Sequence, residues 1–124
     1  MKTLLFFAED PDYCSLFQIF AERQGIGDLE IITFSDEAKL KEVLDIYNID
    51  FALVHFYERG RGRSVVAKLQ NRKIPLGLIT SEIDGIKQEP GGILLDKLDL
   101  MNRPLIDTIK LISPEKSSGS PEIV

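Results

Sequence analysis

The chain has 124 residues, of which 44% are apolar and 28% charged, and its formal net charge is -5. That length suits one domain with its own hydrophobic core, and the acidic balance gives no general attraction to nucleic acid or anionic lipid. The lone cysteine, Cys14, excludes an internal disulfide and reads as a core residue.

The opening run Leu4 to Ala8 is apolar throughout and stops at Glu9-Asp10-Pro11-Asp12. It is too short to span a membrane and lacks a signal-peptide cleavage region, so a cytoplasmic location without membrane attachment is the expectation. Its composition predicts a strand covered on both faces, the habit of parallel sheets. Asp10 and Pro11 open a helix as cap and first residue, with Cys14, Phe17, Ile19, Phe20 and Ala21 on or near one face and Gly25 and Gly27 at its close.

Leu29 to Phe34 reads as a second strand. Ser35 or Asp36 caps a second helix through Leu40, Val43, Leu44 and Tyr47. Phe51 to Val54 is a third strand ending at His55, and Phe56 to Arg63 a loop. Ser64 to Gln70 is a short helix, and Ile74 to Ile79 a fourth strand ending at Thr80. The polar, glycine-bearing stretch Ser81 to Gly92 leaves little room for a helix. Ile93 to Leu95 is a fifth strand ending at Asp96-Lys97, and Leu105 to Ile112 a last helix. Residues 1–113 form the expected domain, and 114–124, rich in Ser, Pro, Gly and Glu, a flexible tail.

Strands alternating with helices predict an α/β, doubly wound parallel sheet with right-handed crossovers. Ligands of such sheets bind beyond the C-terminal strand ends. That rule singles out Glu9, Asp10, His55, Thr80 and Lys97. No dinucleotide fingerprint or phosphate loop follows the first strand, so a nucleotide cofactor has no support there.

The same five positions resemble the phosphorylation pocket of response-regulator receiver domains, a likeness that runs from about Lys2 to Ile112. Leu5-Phe6-Phe7-Ala8-Glu9-Asp10 is similar to the family's first strand and its acidic, magnesium-binding pair. Pro75 to Thr80 is similar to the fourth strand with its terminal hydroxyl, and Leu94-Leu95-Asp96-Lys97 to the fifth with its lysine. Asp50 to His55 matches the third strand, with His55 in the place of the phospho-accepting aspartate. Leu98 replaces the usual proline. The resemblance implies a CheY-like, flavodoxin-like sheet of five strands in the order 2-1-3-4-5; the segment between Thr80 and Ile93 departs from the family by being short, so the fourth helix is expected to be shortened or missing. It also implies a pseudo-receiver that lacks its nucleophile.

His55 has three readings. It is a structural remnant, a metal ligand with Glu9 and Asp10, or a phospho-acceptor or pH sensor. Opposite charge at Glu9 and Asp10 would favour its protonated form. Lys97 is expected to pair with Glu9, Asp10 or Asp96. The loop after His55 offers Phe56, Tyr57, Arg59, Arg61 and Arg63 as an interaction segment, because guanidinium groups grip carboxylate or phosphate with two prongs.

The resulting expectation is a non-enzymatic, non-phosphorylatable signalling domain of two-component type. It would act on a protein partner or by self-association, without nucleic acid and without a required cofactor. The alternative is a metal- or phosphate-binding domain that uses the acidic pocket with His55, and so a residual divalent cation.

Overall fold

The computed structural model describes residues 2–55, 63–80 and 93–113. Its strands are β1 (Lys2–Phe7), β2 (Leu29–Phe34), β3 (Phe51–His55), β4 (Leu76–Thr80) and β5 (Ile93–Asp96). The helices are α1 (Pro11–Gln24), α2 (Leu40–Ile46), α3 (Arg63–Asn71), α4 (Lys97–Leu100) and α5 (Leu105–Ile112), with a 3-10 turn at Glu37–Lys39 before α2. All strand pairs are parallel, and the order is β2-β1-β3-β4-β5. The expected doubly wound α/β architecture is therefore present.

The unbroken apolar strands follow from cover on both faces. Leu4, Phe6 and Ala8 point to one core with Phe17 of α1 and Leu105 and Ile109 of α5. Leu5 and Phe7 point to the other, with Leu40 and Leu44 of α2 and Val65 and Leu69 of α3. The register Phe6↔Leu53 and Phe7↔Val54 keeps each face continuous into β3. Each fully buried leucine or phenylalanine contributes about 1.5–3 kcal/mol relative to exposure, so the two cores hold the strand ends in fixed relative positions.

Helix ends follow their local chemistry. The Asp10 carboxylate accepts the Asp12 amide at 2.9 Å, Pro11 opens α1, and Gly25 closes it with φ 64°. The 3-10 turn is capped by Asp36, which accepts the Ala38 amide. Pro104 gives α5 no side-chain cap. Instead Gln24 Oε1, from the end of α1, accepts the Leu105 amide at 3.0 Å.

Four details differ from the sequence reading. Ile19 is exposed, because it lies two residues, or about 200° of helix, from buried Phe17. Tyr47 stands in extended backbone just beyond α2, and is exposed. β4 begins at Leu76, because Ile74 donates its amide to Leu69 O and so finishes α3. Lys97 starts α4 instead of ending β5; Asp96 caps that turn by accepting the Leu98 amide at 2.9 Å. The expectations for a reduced fourth helix over 81–92 and a flexible tail over 114–124 lie outside the described residues. No helix among the described residues is long and apolar enough to cross a membrane.

Candidate functional site

Parallel strands β1, β3 and β4 deliver Glu9, Asp10, His55 and Thr80 to one end of the sheet, as the topology requires. The pairings His55↔Ile79 and Thr80↔Asp96 put the ends of β3, β4 and β5 side by side. The side chains then divide. Glu9 and Asp10 are exposed on the rim, whereas His55 is 2% and Thr80 3% exposed. Lys97, half-buried at the start of α4, comes in from the β5 side.

The residue that joins these groups is Tyr13, which the sequence reading passed over. Its ring meets the His55 imidazole edge to face, with centroids 5.1 Å apart and planes at 61°. On another side it meets Phe6 at 5.5 Å, and Phe6 stacks on Phe17 at 4.0 Å. The Lys97 ammonium lies 4.6 Å from the centroid of the Tyr13 ring. The cation and the imidazole thus both meet one tyrosine ring, which is braced by the core. The expected ion pair of Lys97 with Glu9, Asp10 or Asp96 gives way, among the described residues, to this cation–π contact. The signal was in the sequence: Tyr13 lies three residues after the helix cap Asp10, in the first turn of a helix that starts at the pocket rim.

The environment keeps His55 neutral. Burial is the main cause, the nearby positive charge of Lys97 adds to it, and Asp10 opposes both; the net effect lowers the pKa from 6.5 to about 4. Asp10 does favour the charged imidazole, as expected, but it is exposed and solvent-screened, and burial of the imidazole outweighs it. Cys14 is a buried thiol beside the same strand end. Its Sγ lies 3.5 Å from both Ala8 O and Phe34 O, and burial pushes its pKa up, so it is a core residue with no thiolate character.

Among the described residues, no group of three or more His, Cys, Asp or Glu side chains is placed to hold a metal ion. Of the arginine-loop residues, Arg63 is exposed at the start of α3; Phe56, Tyr57, Arg59 and Arg61 lie outside the described residues.

The parallel sheet order and its flanking helices match a receiver-type, flavodoxin-like α/β fold. Comparison with solved structures finds the same fold in a response regulator receiver protein from Burkholderia phymatum, with a TM-score of 0.70 and 17% identity over 90% of this chain and 94% of that one. The receiver domain of the Francisella response regulator 1452 gives a TM-score of 0.66 and 15% identity over 94% and 99%. A de novo designed Rossmann 2x3 fold protein gives the same TM-score of 0.66, with 18% identity over 90% of each chain. No family model matches the chain. No curated protein matches it either. Because a designed protein shares the fold as closely as a receiver does, the fold is common ground and the function has to be argued from the site.

Proposed function

We propose that this chain is a receiver-like signalling domain that is not switched by aspartyl phosphorylation and works by docking a protein partner. One observation carries the reading: the end of β3 presents a buried imidazole, held neutral by its surroundings, against the edge of the Tyr13 ring over which Lys97 lies. Aspartyl phosphorylation needs a carboxylate nucleophile open to its donor, a divalent cation on oxygen ligands, and a lysine that receives the transferred oxygens. Here the strand end carries no carboxylate, and the lysine is engaged on an aromatic face. With nothing to phosphorylate, the domain holds one conformation and docks constitutively. Leu98, 74% exposed on α4 next to Lys97, gives the pocket rim an apolar contact point. The metal-binding alternative draws no support from the placement of Glu9, Asp10 and His55.

The test is intact-mass analysis after incubation with a small acyl-phosphate donor and magnesium, on the parent and on His55→Asp. The parent is expected to gain no phosphoryl group. A stoichiometric adduct on the parent overturns the reading. An adduct on His55→Asp alone shows that only the nucleophile is missing.

A further inference from the structure

The edge of the sheet at β2 has no neighbouring strand among the described residues, because β2 stands first in the order. Sheets commonly protect such an edge with lysine, proline, a bulge or a very short strand. β2 is as long as β1, pairs with it without a break, and carries no proline or lysine; its one charge is Glu30.

The backbone of this edge is open in a defined pattern. Lys2 donates its amide to Asp28 O at 2.9 Å, and Ala8 donates to Phe34 O at 3.3 Å. In the unbroken parallel ladder between these bonds, Asp28, Glu30, Ile32 and Phe34 turn their backbone groups to β1. Leu29, Ile31 and Thr33 therefore turn theirs outward.

The two faces of the edge differ in chemistry. On the α1 side, Leu29 and Ile31 are half-buried against the core, and with Ala21, Glu22 and Ile26 they line a cavity of about 320 Å³. On the other side, Asp28 and Glu30 are exposed, one residue out of step with the apolar pair. Neither carboxylate is in an ion pair with a described residue. A second copy joined edge to edge about a two-fold axis would bring its own Asp28 and Glu30 to that same face, where like charges repel. The charge thus selects against self-pairing and for a basic strand.

We infer that the β2 edge takes an extended segment of another protein as a sixth strand, one with alternating apolar and basic side chains. The backbone groups of Leu29, Ile31 and Thr33 bind its main chain, the cavity takes its apolar side chains, and Asp28 and Glu30 take its lysines or arginines. The inference rests on the docking reading above for its role. Peptide binding at the edge and phosphoryl transfer at the β3 end are measured separately, so either can fail alone.

The test is fluorescence anisotropy of the full chain with a labelled synthetic peptide that alternates valine and lysine. Controls are a peptide alternating valine and glutamate, and the same valines and lysines in two blocks. Saturable binding of the first peptide is expected, with both controls about tenfold weaker. Glu30→Lys should weaken it about fivefold, the scale of one cross-strand charge pair. N-methylation of the peptide probes the main-chain bonds with the protein unaltered. Methylated valines block an antiparallel addition and methylated lysines a parallel one, so one methylated peptide should bind and the other should not. In amide NMR spectra the unmethylated peptide should shift Leu29, Ile31 and Thr33. No saturable binding of the valine–lysine peptide, equal binding of the glutamate peptide, or equal binding of the two methylated peptides overturns the inference. So does dimerisation of the chain alone that protects the same three amides, which assigns the edge to a second copy.

Discussion

The ring of Tyr13 meets the imidazole of His55, the last residue of the central strand β3, edge to face, 5.1 Å between centroids. The imidazole is buried and neutral, with its pKa lowered to about 4. Unfolding returns it to the ordinary value of 6.5, so between these values the unfolded chain binds the proton and the folded chain does not. Stability from the neutral imidazole is complete above about pH 6.5 and falls as pH drops toward 4. The expected loss is on the order of 2–3 kcal/mol at the acid end. Urea denaturation of parent and His55→Gln across this range checks it. Carboxylates contribute to both curves, so the difference between them isolates His55. Parallel curves would rule the effect out.

Lys97 acts on the same pair in two ways. Its charge helps to keep His55 deprotonated, and its ammonium lies over the Tyr13 face. Lys97→Met keeps the stem and removes both effects. The imidazole titration, followed by NMR, should move up toward the ordinary histidine range. Stability at neutral pH should fall by about 0.5–1 kcal/mol, the scale of a partly exposed cation–π contact. An unmoved imidazole titration would mean that burial alone sets the His55 charge state.

Which parts of this site the sequence discloses depends on how local their causes are. Asp10, Pro11 and Gly25 mark the ends of α1 by chemistry that acts within a few residues, and the apolar strands announce a sheet covered twice. The strand-end rule then brings His55 and Thr80 into view without any knowledge of packing. Tyr13 escapes because its role depends on which way the first turn of α1 faces across the sheet. The start of α4 escapes because four residues make barely one helical turn, too little for a periodic signal; the cap Asp96 was its one local mark. Lys73, left-handed at φ 59° beyond the end of α3, escapes because nothing in Arg72-Lys73-Ile74 suggests that conformation.

At the far end of the sheet, Asp50 and Thr3 exchange two hydrogen bonds. The Asp50 carboxylate accepts the Thr3 amide at 2.8 Å, and the Asp50 amide donates to Thr3 O at 2.9 Å. This clamp fixes where β3 starts against β1, and so the register that carries His55 to its place. Asp50→Ala leaves the amide of buried Thr3 without its acceptor, at about 1–3 kcal/mol. Asp50→Asn retains an acceptor oxygen and should lose less. Equal losses in equilibrium unfolding would show that charge, and not the acceptor, matters.

Gly77 sits in β4 opposite Leu53 of β3 and Ile93 of β5, with the side chains of Leu53, Leu95 and, from α5, Ile112 over its open face. A Cβ there would stand 2.8 Å from Leu53 Cδ2, 2.9 Å from Leu95 Cδ1 and 3.2 Å from Ile112 Cγ2. Two of these distances are below any ordinary carbon contact, and all three neighbours are buried. Backbone strain is not the issue, since Gly77 is not among the residues with positive φ. The missing side chain lets the end of α5 lie close against the sheet. Gly77→Ala should therefore destabilise by overpacking, by about 1–3 kcal/mol, although alanine is the better strand residue in conformational entropy. Gly77→Val should be worse despite its higher strand preference. A double variant, Gly77→Ala with Ile112→Ala, removes the obstructing Cγ2 methyl and should lose less than the sum of the two single changes. Strictly additive losses in denaturant unfolding would show that Ile112 gives way freely and that the two strand leucines set the limit.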